Sequence, residues 1–193
     1  MATYSAFFYG TLMHPKVLQR VIGVGGKHLQ IAPAVLLFAD YPGVIPYITA
    51  REKLLGQDLG QNDRCVRGSL VAGLTERDIK FLDVFEGEEY DRRKVKAYPL
   101  APFGDMEEYS AKGNESLIPA HPPPIPDKLP TAIDADTYIY LDPSGLESEL
   151  WSFEEFVTQN AHKWYSADAR AREDIVEVDR LRAELLAMQG KGN

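Results

Sequence analysis

The sequence predicts an α+β fold, a mostly antiparallel or mixed sheet curling into a small β-barrel with helices around it and further helices at the C-terminus. Three observations predict it. Several short apolar runs bounded by turn residues read as strands. Helix-patterned segments interrupt them without the regular alternation of a doubly wound parallel sheet. The last third changes to helical periodicity.

Taken in order, residues 4–9 are aromatic and apolar and read as a buried first strand. Gly10-Thr11-Leu12 turns the chain, and His14-Pro15 opens a short helix in which Val17, Leu18, Val21 and Ile22 share a face and Gly23 closes the end. Residues 30–38 read as a strand, followed by a turn at 40–43 and a short strand at 44–48; residues 65–72 read as the next strand. Thr75 and Asp78 have the spacing of a helix start, with Leu74 and Ile79 as a hydrophobic staple. That helix runs to about Glu86 and stops at Gly87. Residues 90–98 and 137–141 complete the strands, and they are expected to pair.

Between those two strands lies an insertion, about residues 99–130, that holds eight of the thirteen prolines. Proline lacks an amide donor and resists helix interiors and central strands, so a surface excursion is expected. Further on, Ser152 and Glu155 form a capping box and Trp151 and Phe156 a staple, with Leu150, Phe153, Val157, Ala161 and Trp164 along one face. Within 167–189, Ile175, Val178, Leu181, Leu185 and Met188 recur at helical spacing, and packing on the core is the expectation for this helix. The division expected is a domain over 1–165 and a C-terminal helical extension over 166–193.

The bulk properties narrow the function. The chain has 193 residues, 45% hydrophobic and 26% charged, within the range of one folded domain. With 21 Lys plus Arg against 29 Asp plus Glu, it carries no concentrated basic patch for nucleic acid. One cysteine, Cys65, cannot form an internal disulfide and reads as a small buried hydrophobe rather than a nucleophile. No basic leader precedes an apolar run, and no stretch reaches the ~18 apolar residues that cross a bilayer, so a cytoplasmic protein is expected. His14, His28, His121 and His162 lack pairwise metal-ligand spacing, and a metal site is not expected.

Two features bear chemistry. Ile79, Leu82 and Glu86 are spaced three and four apart, and seven residues bring Glu86 within about 20° of Ile79 on the helical wheel. A carboxylate thus occupies the last step of an apolar stripe, at the negative end of the helix dipole. Burial and dipole both raise its pKa toward values useful for general acid/base work. Helix geometry alone favours a plainer alternative, a boundary glutamate paired with Arg92 or Arg93. The second feature is the run Tyr9, Gly10, Thr11, Leu12, Met13 and His14, a strand-turn-helix junction whose amides could receive a carboxylate or an oxyanion. Glu88 and Glu89 follow the glycine and should be better solvated than Glu86.

Together, FFYGTL, YPGVI and FLDVFEGEEYDRRKV, in that order, resemble the γ-glutamylcyclotransferase-like superfamily, and within it the AIG2-like branch. The resemblance covers roughly residues 6–141 and extends into WSFEEF; its most specific part is the string LD-x-FE-x-x-x-Y-x-R. It implies a small mixed barrel flanked by helices and an enzyme without metal or organic cofactor. It further implies Glu86 as general acid/base, and a 9–14 loop that holds a small-molecule γ-glutamyl substrate. The implied reaction is attack of the substrate's own α-amine on its γ-carbonyl, releasing an amine and 5-oxoproline. Tyr90, Arg92 and Tyr138 are candidate pocket residues. Arg92 serves equally as a salt-bridge partner for nearby acids, and core packing is the simpler reading for Tyr138 and Tyr140. Two alternatives stay open: another acyl or amine transfer at the same site, and a non-catalytic interaction module on the same fold.

Overall fold

The computed structural model describes residues 3–23, 26–37, 65–112, 123–142, 151–166 and 172–190. The strands are β1 (Tyr4–Phe8), β2 (Gln30–Leu37), β3 (Cys65–Leu74), β4 (Tyr90–Pro99), β5 (Gly104–Asp105) and β6 (Ile133–Tyr140). The α-helices are α1 (Pro15–Ile22), α2 (Glu76–Glu86), α3 (Met106–Lys112), α4 (Phe153–Glu155), α5 (His162–Tyr165) and α6 (Glu173–Gly190). The predicted turn at 40–43 and strand at 44–48 lie outside the described residues.

Five strands close into a barrel in the order β3-β1-β6-β4-β2, with β2 pairing back onto β3. All of these pairings are antiparallel except β1 with β6, which is parallel through Ala6 and Asp136. The sheet is therefore mixed, as expected, and β4 and β6 pair along their length despite the long connection between them. Because side chains alternate across a strand, each barrel strand serves two cores. Phe7, Ala34, Leu36, Leu70, Val95, Ala97 and Ala135 come from all five strands and fill the inside. Ala6, Phe8, Ile31 and Val71, one residue out of phase, pack outward under the helices. At Gly68 a Cβ would lie 2.1 Å from the Phe8 carbonyl oxygen, so only glycine lets β3 approach β1 this closely.

The helix ends follow their sequence signals. His14 caps α1, its Nδ1 accepting from the Lys16 amide at 3.2 Å, with Pro15 in the first turn and Gly23 at the C-cap. Thr75 and Asp78 form a reciprocal capping box on α2: the Thr75 amide donates to Asp78 at 2.8 Å, and the Asp78 amide donates to Thr75 Oγ1 at 3.2 Å. Gly87 ends α2 at φ 67°, a backbone conformation that favours glycine. Ser152 accepts from the Glu155 amide at 3.2 Å, and Trp151 lies 5.5 Å from Phe156. A π-helical turn, Phe156–Asn160, then joins α4 to α5.

The insertion differs from the expected surface excursion. β5 adds to the edge of β2 through Gln30 and Ile31, and α3 follows it directly. Met106, at the start of α3, is fully buried in the helix-side core, and its amide donates to the Leu29 carbonyl at 3.1 Å. The proline-poor residues 104–112 escape the constraint that the prolines impose on their surroundings, and the β5 pairing, buried Met106 and Tyr109 dock them.

The last helix packs on the core. Ile175 and Val178 are fully buried, whereas Met188 is exposed. Arg20 holds Asp179 through two hydrogen bonds of 2.9 and 2.6 Å. Arg182 donates to the carbonyls of Arg20 and Val21 at 3.2 and 2.9 Å, satisfying acceptors that the end of α1 leaves open. Among the described residues no helix is long and apolar enough to cross a membrane.

Candidate active site

The C-terminal end of α2 meets the ends of three neighbouring strands. Tyr9 follows β1, Tyr90 begins β4 and Tyr138 lies on β6, while α2 supplies Asp83 and Glu86. The Tyr9 hydroxyl donates to the Tyr138 carbonyl. The Tyr138 hydroxyl donates to Asp83 Oδ1 at 2.8 Å, and Arg92 Nε lies 3.3 Å from the same oxygen. The Tyr90 ring packs 5.3 Å from Tyr140. Asp83 was missed from the sequence, although its spacing three residues before Glu86 puts both on one helical face.

Glu86 is not the paired boundary residue of the plainer alternative. Arg92 engages Asp83, and Arg93 engages Asp91 at 2.8 Å. Glu86 forms neither a hydrogen bond nor an ion pair among the described residues. It keeps some accessible surface, yet protein surrounds most of the carboxyl, and that burial is the main cause of its pKa rising to about 8. The negative charge of Asp174 adds to the rise. The same surroundings push the Tyr9 phenol well above its ordinary value, through burial first and then the charge of Glu86. Tyr90 rises to about 12, with Glu86 and Glu89 as further causes after burial. Tyr138 rises through burial and its hydrogen bond to Asp83. Glu88 and Glu89 are exposed.

The turn after β1 is a 3₁₀ helix, Thr11–Met13. The amides of Met13 and His14 are used within it, donating to the carbonyls of Gly10 and Thr11 at 3.0 and 3.1 Å. Those of Thr11 and Leu12, at its open start, have no hydrogen-bond partner among the described residues. Among the described residues, its chain neighbours aside, no atom lies within 4 Å of where a Gly10 Cβ would stand. The side chains of Leu12, Met13 and His14 are buried. Burial, with the Lys16 charge, lowers the His14 pKa to about 4, and the ring packs 5.3 Å from Tyr165. Met13 and His14 thus serve the core and the α1 cap, and their amides are already engaged within the turn.

The remaining candidates are simply placed. His28 Nε2 lies 3.2 Å from Asp78. Cys65 is partly exposed at the start of β3, not buried as expected, because its strand end lies at the rim of the barrel. His121 lies outside the described residues. Among those described, no three His, Cys, Asp or Glu side chains gather as metal ligands do.

The comparisons with known proteins bear on this arrangement. Residues 6–153 match the family model "Gamma-glutamyl cyclotransferase, AIG2-like". The chain is 28% identical over 100 residues to AIG2-like protein C of Arabidopsis thaliana, an alignment covering 49% of this chain and 50% of that protein. It thus spans about half the length of that curated relative. A solution structure of an Arabidopsis thaliana protein is 18% identical over 89% of this chain and 91% of its own, with a TM-score of 0.43. A yeast γ-glutamyl cyclotransferase described as specific to glutathione is 15% identical over 72% of this chain and 69% of its own, also at 0.43. Since the family model spans the barrel, the turn after β1 and the Glu86 helix, the chain belongs to the gamma-glutamyl cyclotransferase, AIG2-like family.

Proposed function

We propose that the protein is a γ-glutamylcyclotransferase that closes a γ-glutamyl amide, peptide or amine to 5-oxoproline, with Glu86 as the proton carrier. The observation that carries this is a mostly buried carboxylate without a partner among the described residues, beside the tyrosine that leads into the Gly10–Leu12 turn. A buried glutamate titrating near neutrality suits proton transfer, because it both accepts and returns a proton at modest cost.

In the proposed reaction the Glu86 carboxylate takes a proton from the substrate's α-ammonium. The freed amine attacks the γ-carbonyl carbon, and the oxygen gains negative charge that the Thr11 and Leu12 amides receive. Glu86 then gives its proton to the nitrogen of the scissile amide as that carbon–nitrogen bond breaks. The second proton of the ring nitrogen goes to the departing amine, which leaves as an ammonium. Ring closure is intramolecular, so orientation supplies a large share of the rate, on the order of 7–11 kcal/mol.

The test is incubation with a panel of γ-glutamyl amides, peptides and amines, following 5-oxoproline and free amine in equal amounts. Glu86→Gln should keep the fold and lose about 10²–10⁴-fold in rate. A folded wild-type protein producing no 5-oxoproline from any of the panel would reject the reading in favour of an interaction module.

A further inference from the structure

Glu86 is the last residue of α2, and helix ends fray first. With no hydrogen bond or ion pair of its own among the described residues, its carboxylate takes its position from its neighbours. Two clamps hold them. Asp83, one turn back, accepts from the Tyr138 hydroxyl at 2.8 Å and pairs with Arg92 at 3.3 Å. Phe85, the residue before Glu86, is buried, and its ring meets Trp164 edge-on at 5.7 Å and 61°. The Arg172 guanidinium in turn lies 3.5 Å over the Trp164 ring. The first clamp comes from the barrel. The second comes from α5 and the residue that leads into α6, both beyond residue 153, where the match to the family ends.

We propose that Trp164 is a positioning residue for Glu86 and that Arg172 holds it in place, so that the C-terminal extension completes the site. The use of Glu86 in catalysis rests on the cyclotransferase reading, whereas the clamp does not. Two observations set this stack apart from ordinary core packing. First, α6 docks without it: Ile175 and Val178 are fully buried, and Asp179 and Arg182 tie the helix to α1. Second, the Arg172 side chain has no ion pair among the described residues, and its Nε is buried without a partner. An open buried donor is a cost that an aliphatic side chain at this place would not carry. What the arginine adds is direction, because a cation is drawn to the face of an indole and holds that ring from one side. The edge-to-face contact passes the restraint to Phe85. Phe85 and Glu86 are consecutive on one helix, so fixing the first fixes where the second points.

The test uses the full chain. Glu86 is titrated by carboxyl NMR, and kcat and KM are measured on the most active member of the γ-glutamyl panel, with melting temperature alongside. The variants are Trp164→Ala, Trp164→Phe, Arg172→Gln and, as control, Asp179→Asn, which loosens α6 where it meets α1. The other titratable and charged groups around Glu86 are untouched in all of them: Tyr9 after β1, Tyr90 and Arg92 on β4, Tyr138 on β6, Asp83 on α2, Glu89 in the following turn and Asp174 on α6. Trp164→Ala should lower kcat about 10–100-fold with a smaller change in KM, the mark of a misplaced group. Its Glu86 midpoint should fall from about 8 toward the ordinary 4.5 as water reaches the end of α2. Trp164→Phe, which keeps a ring against Phe85, should recover most of both. Arg172→Gln should move both the same way by less, whereas loss of its charge alone would raise the midpoint. Asp179→Asn should lower the melting temperature and leave kcat and midpoint unchanged. A folded Trp164→Ala with wild-type kcat and midpoint overturns the proposal, as does an Asp179→Asn in which both fall equally far. Should Trp164→Ala not fold, Arg172→Gln decides by the same two readings. If the wild type makes no 5-oxoproline, the midpoint alone decides, and its fall in Trp164→Ala would keep the clamp while rejecting the reaction.

Discussion

Replacing Glu86 with glutamine should make the protein more stable at alkaline pH while abolishing its proposed activity. The carboxyl titrates at about 8 in the folded protein against an ordinary value of 4.5, because burial and Asp174 disfavour its charge. The native state therefore holds this proton more tightly than the unfolded chain does. The stabilisation from that proton is complete below pH 4.5 and is lost as pH rises through about 8. Between those limits the loss is about 1.4 kcal/mol per pH unit, on the order of 5 kcal/mol in all. Glutamine, always neutral and nearly the same shape, does not incur it. The stability gap between Glu86→Gln and wild type should consequently widen with pH and level off above about 8. For a chain of this size, at ~2–4 °C per kcal/mol, the melting temperatures should separate by on the order of 10 °C between pH 5 and 9. The assay is thermal and denaturant unfolding of both proteins across that range, with turnover measured alongside. A gap that stays flat with pH would refute the buried, unpaired state of Glu86, whatever happened to turnover.

Further outcomes follow from the packing. Met106→Ala should cost ~2–5 kcal/mol in urea unfolding, because the side chain is fully buried; excision of 103–128 should destabilise for the same reason, and a cost below ~0.5 kcal/mol would restore the surface-loop reading. Tyr138→Phe removes the 2.8 Å bond to Asp83 and should cost about 1–2 kcal/mol, with Arg92→Ala, at a half-exposed pair, costing less by the same measurement. Gly10→Ala should leave the melting temperature unchanged, since among the described residues, its chain neighbours aside, nothing lies within 4 Å of the added methyl, but should depress turnover if substrate sits on that turn. Gly68→Ala, whose methyl would lie 2.1 Å from the Phe8 carbonyl, should prevent folding, and a soluble, cooperative Gly68→Ala protein would contradict the close approach of β1 and β3.

Much of this protein was legible because its signals are local. The capping box of Thr75 and Asp78, the stop at Gly87, Pro15 behind the His14 cap and the continuous apolar run of β1 each act over a few residues, so a linear reading finds them. Glu86 on the apolar stripe of α2 belongs to the same class, since one helix suffices to place it. What decided its state was tertiary. Whether Arg92 neutralised Glu86 or Asp83 depended on how β4 runs past the end of α2, and helix spacing cannot choose between them. The parallel closure of β1 on β6, the burial of Met106 and the approach of Asp174 join residues far apart in the chain. Such contacts arise from the packing of whole elements rather than from the preferences of any segment. The sequence alone thus determined where α1 and α2 begin and end and which carboxylate sits among apolar neighbours. Only the folded structure determined that Arg92 pairs with Asp83 and leaves this carboxylate without a cation among the described residues, because charge pairing is settled by distances across elements.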